Sequence, residues 1–183
     1  MNDKMASVTQ ILHWFHDFTR ITAEVLENAA ARGTQVHRLC EAIVRGLWVA
    51  DVPEHCQGYV ESFGLWFEAA VAQVVEIEPE LRDDRLGLVG HPDYLLTLKG
   101  DKALGIWDLK TPVTHQKTWR LQLGGYFHLA SVMGLAIGRV GTVMLSPQGK
   151  APSVREYTQT MHQDRQVFLS AYNLFNFFQG GRV

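Results

Sequence analysis

The stretch from residue 86 to residue 110 constrains the fold most strongly, because it consists of two strand-like runs joined by a short turn. The runs cover residues 86–98 and 103–110, and Gly100 and Asp101 stand at the tip of the turn between them. Apolar residues fall on both faces of the second run around Asp108, which is typical of a central strand covered on both sides. We therefore predict an antiparallel hairpin inside a sheet.

The register of this hairpin follows from its turn. If Gly100 and Asp101 form a two-residue turn, counting outward pairs Asp93 with Asp108 and puts their Cβ atoms about 4.5–5.5 Å apart. Lys110 lies two residues beyond Asp108, so both side chains leave the strand on the same face. A bound divalent cation that prefers oxygen ligands, Mg²⁺ or Mn²⁺, would keep both carboxylates ionised. The alternative is a simple ion pair between Asp108 and Lys110 at a strand end.

Residues 1–72 are predicted to be helical. A capping box at Ser7 indicates the start of a first helix, whose apolar spacing extends to Phe18. Thr22 is predicted to cap a second helix, and Gly33 to act as a hinge before a third, which Thr34 is predicted to cap. The helical period then resumes after a break and continues to the end of this part.

The remaining chain alternates strands with helices. Residues 73–160 are predicted to form the sheet core with one helix, and residues 161–183 to contain a C-terminal helix. The first strand begins at Val74 and is interrupted by Pro79, which indicates a position near the sheet edge. The order helices, three strands, helix, two strands, helix predicts one α/β or α+β domain over residues 1–183.

Composition limits the classes of partner. The 17 Lys and Arg residues are outnumbered by 19 Asp and Glu, so a nucleic-acid site must be a local basic patch. Cys40 and Cys56 are too few for a disulfide framework, and a zinc site that combines them with His37 and His55 has no standard spacing. Without an apolar run of about 18 residues or a signal peptide, we expect a soluble cytoplasmic protein with no membrane contact.

Four motifs in sequence order resemble those of the PD-(D/E)XK nuclease superfamily, specifically its RecB-type or phage-type exonuclease branch. They are an upstream helix motif that ends in a His, a Pro-Asp pair, a (D/E)XK triplet with the Thr that often follows it, and a QxxxY helix motif. The resemblance spans nearly the whole chain. The residues that carry it are Gly33, Thr34, His37, Pro92, Asp93, Asp108, Leu109, Lys110, Thr111, Gln122 and Tyr126.

The resemblance implies a restriction-endonuclease-like core, with a central mixed five-stranded sheet flanked by helices, and metal-dependent phosphodiester hydrolysis. The implied metal ligands for Mg²⁺ or Mn²⁺ are His37, Asp93, Asp108 and the backbone carbonyl of Leu109. Lys110 would orient the attacking water or neutralise charge in the transition state. Gln122 and Tyr126 would belong to the catalytic group.

Two upstream features stay open at this point. The family also has a Glu on a strand before the Pro-Asp pair, and Glu78 is the best candidate, with Glu76 and Glu80 as rivals. His37 lies one helical turn before Glu41, so this carboxylate could orient the imidazole.

The segment after the hairpin supplies the local basic patch. Between residues 99 and 120 there are five Lys or Arg and two Asp. We predict nucleic-acid contacts there, against the alternative of an amphipathic helix with a solvated basic edge. Trp48, Trp66, Trp107, Trp119 and the C-terminal Phe cluster are predicted to be core, although Trp119 on the basic helix could also stack on a base. The predicted nucleic-acid contacts are Thr111, His115, Lys117 and Arg120.

These expectations combine into a metal-dependent deoxyribonuclease. An exonuclease is preferred on the QxxxY resemblance alone, with a role in recombination, repair or phage DNA processing. A ring-like homo-oligomer is expected by analogy with phage exonucleases. The alternatives are a structure-selective endonuclease and a catalytically silent relative that binds nucleic acid or protein.

Overall fold

The computed structural model describes residues 5–15 and 22–179. Phe18 and both limits of the predicted domain lie outside the described residues. None of the described helices is long and apolar enough to cross a membrane.

The described chain contains helices and strands in two sheets. The α-helices are α1 (Val8–His13), α2 (Ala23–Val44), α3 (Glu54–Ala70), α4 (Thr118–Val132) and α5 (Met161–Phe178). The strands are β1 (Ala6–Ser7), β2 (Val71–Ile77), β3 (Leu81–Asp83), β4 (Leu88–Gly90), β5 (Tyr94–Leu98), β6 (Leu104–Lys110), β7 (Ile137–Met144) and β8 (Ser153–Glu156). A short 3-10 helix covers Thr158–Thr160.

The central sheet has five strands in the order β2-β5-β6-β7-β8. β6 and β7 are parallel and the other neighbouring pairs are antiparallel, so the mixed five-stranded sheet is confirmed. In β6, Ile106 packs in a core cluster with residues of α1, α4 and α5, whereas Trp107 and Leu109 pack with residues of α2 and α3. Helices therefore cover both faces of the central strand, as its apolar pattern predicts.

The hairpin register is confirmed. Tyr94 lies opposite Trp107 and Leu96 lies opposite Gly105, which is the pairing that a turn at residues 100–101 predicts. Gly100 has φ +78°, a conformation that glycine adopts without steric cost. The turn chemistry thus fixes which side chains meet across β5 and β6.

The first run of the predicted hairpin is not one strand. It is interrupted at Pro92 and Asp93, and β4 before the break joins a second sheet with the order β1-β4-β3. Pro92 lacks the N–H that would continue a ladder. The strand β1 also lies inside the part predicted to be all helical, and β2 begins at Val71 rather than at residue 74.

The predicted hinge at Gly33 is wrong, because α2 runs unbroken through it. Thr22 does cap the helix, since its hydroxyl accepts a hydrogen bond from the N–H of Val25. Thr34 caps nothing; its hydroxyl donates to the carbonyl of Ala30 within the same helix. The capping box at Ser7 is confirmed, although α1 ends at His13.

Several predicted limits and burials differ from the structure. The one helix predicted within the sheet core is α4, which ends at Val132 before β7 begins at Ile137 opposite Leu104. Trp66, Trp107 and Trp119 are buried as predicted. Trp48 is 88 % exposed in the connection between α2 and α3, so its assignment to the core is wrong, and Phe177 and Phe178 are exposed as well.

Candidate active site

Asp93 links the start of β5 to the end of β6. It lies directly before β5, and its Oδ2 accepts a hydrogen bond of 2.6 Å from the backbone N–H of Leu109. Leu109 stands between Asp108 and Lys110 in β6, so this bond holds the carboxylate beside both residues. The ladder ends at the pair of Tyr94 and Trp107, and Asp93 and Asp108 are the next residue on each strand in the predicted register.

His37 reaches this group from α2. Its Nδ1 lies 2.9 Å from Asp93 Oδ1. Burial alone would lower the pKa of His37, but the charge and hydrogen bond of Asp93, together with the charge of Asp108, raise it above the ordinary value. Glu41, the expected partner of His37, instead forms an ion pair with Arg45 at 2.7 Å. The predicted orientation of His37 by Glu41 is therefore not found.

Asp108 is the most deeply buried charge of the site, with 3 % of its surface exposed. Its Oδ2 forms an ion pair with Lys110 Nζ, but accepts no well-aligned hydrogen bond from the described residues. Burial raises the pKa of Asp108, and the neighbouring charge of Asp93 adds to this against the opposing effect of Lys110. Lys110 thus compensates the buried carboxylate incompletely.

Lys110 connects the two strand aspartates to α4. Its Nζ donates a hydrogen bond of 2.7 Å to Gln122 Oε1, and Gln122 Nε2 donates one of 2.9 Å to the hydroxyl of Tyr126. Gln122 and Tyr126 are one turn apart on α4, so both meet the same side of the site. Burial and the charge of Asp108 raise the pKa of Tyr126 well above its usual value. The QxxxY residues therefore hold the ammonium of Lys110 and not the carboxylates.

Two contacts of the site were not predicted from the sequence. Trp119 lies under Lys110, whose Nζ is 5.7 Å from the ring centroid, and this buried position leaves no face for a base. Gly90 at the end of β4 lies against Tyr126, and a Cβ there would come within 2.8 Å of the phenol ring. The sequence signal for this contact, which was not used, is the glycine two residues before the Pro-Asp pair.

The predicted nucleic-acid contacts occupy different environments. Thr111 is only 6 % exposed. His115 Nε2 lies 3.2 Å from the hydroxyl of Ser153, and burial, followed by the charge of Arg155, lowers the pKa of His115. Lys117 is exposed.

Arg120, the last predicted contact, is committed to a partner within the chain. Its NH2 group donates a hydrogen bond of 2.7 Å to Oδ1 of the buried Asp164, and its Nε donates to the other oxygen at 3.2 Å. The same guanidinium stands 5.9 Å from the centre of the Tyr157 ring. The basic patch at the start of α4 therefore carries less free charge than the residue count indicates.

The upstream Glu candidates lie at the exposed end of β2. Glu78 adopts φ +49°, and its backbone N–H donates a hydrogen bond of 2.9 Å to the carbonyl of Asp93. This bond places Glu78 next to the Pro-Asp pair. Glu76 is exposed within the edge strand, and Glu80 forms a 3.7 Å ion pair with Arg82. Of the three, only Glu78 has a backbone hydrogen bond to the site.

The chemistry of the donors fits a divalent cation of the Mg²⁺ class. Asp93 and Asp108 provide carboxylate oxygens, and the incompletely compensated charge on the buried Asp108 would be balanced by a cation. Residues 5–15 and 22–179 hold no preformed cage of three or more His, Cys, Asp or Glu side chains. The two histidines of the alternative zinc site contact other residues instead. His37 lies 2.9 Å from Asp93, and His55 lies 2.9 Å from Gln35.

The chain is similar to a known protein family and to solved structures. A family model of the PD-(D/E)XK nuclease superfamily matches residues 10–181. No curated protein matches the chain. A crystal structure of a Eubacterium rectale protein that is proposed to be an exonuclease has a TM-score of 0.51 at 11% identity, covering 94% of this chain and 82% of that one. The alkaline exonuclease LHK-Exo from Laribacter hongkongensis has a TM-score of 0.43 at 9% identity, covering 96% and 92%.

Proposed function

Because this chain belongs to the PD-(D/E)XK nuclease superfamily, we propose that it is a metal-dependent deoxyribonuclease that hydrolyses phosphodiester bonds of DNA. The observation that carries the proposal is the convergence of Asp93, Asp108 and Lys110 at one end of β5 and β6. Buried carboxylates beside a lysine ammonium are the groups that phosphodiester hydrolysis with a divalent cation requires. The same residues carry the family resemblance of the sequence.

Asp93, Asp108 and the backbone carbonyl of Leu109 are the groups proposed to hold Mg²⁺ or Mn²⁺. The cation, when bound, would polarise a phosphate oxygen and activate the attacking water. His37 fixes one oxygen of Asp93 through Nδ1, which leaves Nε2 as the nitrogen that could serve as a ligand. Glu78 is proposed in a supporting role only, since its backbone contacts Asp93 and its side chain is exposed.

Lys110 is proposed to stabilise negative charge on the phosphate in the transition state or to orient the attacking water. Gln122 and Tyr126 position its ammonium, because Gln122 accepts from Lys110 while donating to Tyr126. A phenol with a strongly raised pKa stays protonated near neutral pH, so Tyr126 is suited to hydrogen bonding and not to proton abstraction.

We propose that the activity is that of an exonuclease in recombination, repair or phage DNA processing. The basis of this proposal is the presence of the QxxxY residues of the RecB-type branch. The fold shared with the Eubacterium rectale protein is compatible with this proposal. Thr111, His115, Lys117 and Arg120 belong to the proposed DNA-facing segment. Both cysteines are free and buried, which supports the cytoplasmic location that we propose. A homo-oligomer remains part of the proposal.

Degradation of linear and covalently closed circular DNA of one sequence, with Mg²⁺, Mn²⁺ or EDTA, tests this function. We expect metal-dependent loss of the linear DNA alone, and a decrease of more than about 100-fold in Asp108→Asn. Asp84→Asn is the matched control, because it makes the same change in an exposed carboxylate that pairs with Arg82. Its activity should equal that of the wild type.

The other outcomes identify the alternatives. Cleavage of circular DNA would replace the exonuclease by a structure-selective endonuclease with the same site. Binding of DNA without cleavage in any metal would indicate a silent relative and would contradict the proposed activity. Unchanged cleavage by Asp108→Asn would show that the described site is not the catalytic one.

A further inference from the structure

The strand β7 places Thr142 beside Asp108. In the parallel register of β6 and β7, Asp108 is the partner of Thr142. Partnered residues on neighbouring strands leave the sheet on the same face. Ile106 and Val140, two residues before each of them, both belong to the core cluster with α4, so this face is the one on which Tyr126 also lies. Thr142 is thus a neighbour of the catalytic carboxylate, although no motif of the sequence includes Thr142.

Both neighbours have unused hydrogen-bonding capacity. Thr142 is 0 % exposed, and its hydroxyl meets no hydrogen-bond partner in residues 5–15 or 22–179. In the same range, Oδ2 of Asp108 is buried without a well-aligned hydrogen bond and relies on the ion pair with Lys110. A buried hydroxyl without a partner and an adjacent buried carboxylate oxygen that has only an ion pair match each other chemically.

A threonine at this position is costly for the fold alone. A buried hydroxyl without a partner lowers stability, whereas valine has nearly the same shape and no polar group. Val140 and Val143 in the same strand show that valine suits β7. The hydroxyl therefore points to a state in which it has a partner, and Asp108 is the acceptor that the register provides.

We propose that Thr142 is a positioning residue of the active site, whose hydroxyl donates a hydrogen bond to the Asp108 carboxylate when that carboxylate holds the divalent cation. This inference rests on the proposed function. A carboxylate ligand that is also hydrogen-bonded keeps one orientation, which favours cation binding. Thr142 touches neither substrate nor metal and acts only through Asp108.

Binding of Mn²⁺ to the full chain, without DNA, tests the proposal. The electron paramagnetic resonance signal of free Mn²⁺ gives the affinity directly, and urea unfolding of the same samples gives the stability. Thr142→Val should weaken Mn²⁺ binding about tenfold while its unfolding midpoint stays equal to or above that of the wild type. Thr142→Ser, which keeps the hydroxyl, should bind Mn²⁺ within about twofold of the wild type.

Thr97→Val is the matched control, because it makes the same change in β5 of the same sheet, away from Asp108, and should leave the affinity unchanged. If Thr142→Val does not fold, Thr142→Ala and Thr142→Ser replace it as a pair that differs only in the hydroxyl. Equal Mn²⁺ affinity with and without the hydroxyl would overturn the role of Thr142 alone. Failure of the wild type to bind Mn²⁺ would overturn the metal-dependent function as well.

Discussion

Lys110 is the residue on which the contacts of the candidate site converge. Its ammonium meets Asp108 within β6, Gln122 on α4 and the ring of Trp119. The strand period predicted the neighbour in β6, because residues two apart share a face. The contacts with α4 depend on how the helix crosses the sheet, and no local pattern specifies that packing. The strand pattern therefore predicted the charged part of the site, whereas Gln122 and Tyr126 were expected only from the family resemblance and the contact with Trp119 was not predicted.

Gly90 leaves the space that the ring of Tyr126 occupies. Gly90→Ala should lower the free energy of unfolding by about 1–3 kcal/mol, because the new Cβ would lie 2.8 Å from two ring atoms of Tyr126 and 3.0 Å from Leu129. Urea unfolding measures this loss. Displacement of Tyr126 should also lower nuclease activity, because Gln122 would lose one of its two partners.

A second glycine serves as the control for this substitution. Gly64 lies inside α3 with no atom within 4 Å of an added Cβ. Gly64→Ala should therefore raise the free energy of unfolding by up to about 1 kcal/mol through helix propensity. A stability loss in Gly64→Ala equal to that in Gly90→Ala would rule out the contact with Tyr126 as the cause.

His128 forms a buried network that ties the small sheet to two helices. Its Nε2 lies 3.1 Å from Oδ2 of Asp83, and Arg165 Nε donates to its Nδ1 at 3.2 Å. Because Nδ1 accepts, the ring is neutral and its proton is on Nε2. Burial lowers the pKa of His128, and the charges of Arg165 and Arg85 add to this effect against the opposing contribution of Asp83.

This lowered pKa predicts a loss of stability in mild acid. Below the unfolded-state pKa of 6.5, His128 binds a proton in the unfolded chain but not in the folded one. The free energy of unfolding should therefore decrease as pH falls from 6.5 to the folded-state pKa, by at most about 1.4 kcal/mol per pH unit. Urea unfolding of the wild type and His128→Gln between pH 7.5 and 5 measures it, with a shallower decrease expected for the variant. Parallel curves would contradict the prediction.

At the level of elements, the unbroken α2 carries His37 to the site. Gly33 lies in the helix interior, and the nearest atom to an added Cβ is Thr111 Oγ1 at 3.4 Å, an ordinary contact. Gly33→Ala should therefore raise the free energy of unfolding by about 0.5–1 kcal/mol. Urea unfolding followed by circular dichroism measures the change. A hinge at Gly33 would give the opposite sign, with loss of helical signal.

The two neighbours of β6 show which pairings a sequence can specify. The partner β5 is joined to it by a tight turn, so the register follows from counting outward. The partner β7 is reached only through α4, and a crossover of that length leaves the parallel register open. For this reason the position of Asp93 next to the end of β6 could be predicted, whereas the position of Thr142 beside Asp108 could not.

The small sheet was missed for a different reason. Its strands β1, β3 and β4 have two or three residues each, and β1 pairs with β4 from a distant part of the chain. Segments that short show no period that distinguishes a strand from a loop. The run over residues 86–98 therefore reads as one strand, although the chain passes from one sheet to the other at Pro92 and Asp93. That passage is what places Asp93 directly before β5.

At the scale of the whole molecule, the net charge of -2 excludes a uniform attraction for DNA. Binding must then depend on a few unpaired cations near the site. Arg120 is engaged by Asp164, and Lys110 by Asp108 and Gln122, whereas Lys117 is exposed at the start of α4. Among the cations of residues 99–120, the structure thus distinguishes those held by partners within the chain from those exposed to solvent.

This separation predicts how DNA binding depends on salt. In the Asp108→Asn background, which prevents cleavage, Lys117→Gln should make the negative slope of log K against log salt for duplex DNA less steep by about 1, because one phosphate contact is lost. Arg120→Gln should leave the slope unchanged and lower the free energy of unfolding, because the buried Asp164 loses its cationic partner. Fluorescence anisotropy at several salt concentrations, with urea unfolding, measures both. If Arg120→Gln made the slope less steep by as much as Lys117→Gln, the guanidinium would be shown to leave Asp164 for the DNA. The available charge of this acidic protein would then be larger than its ion pairs indicate.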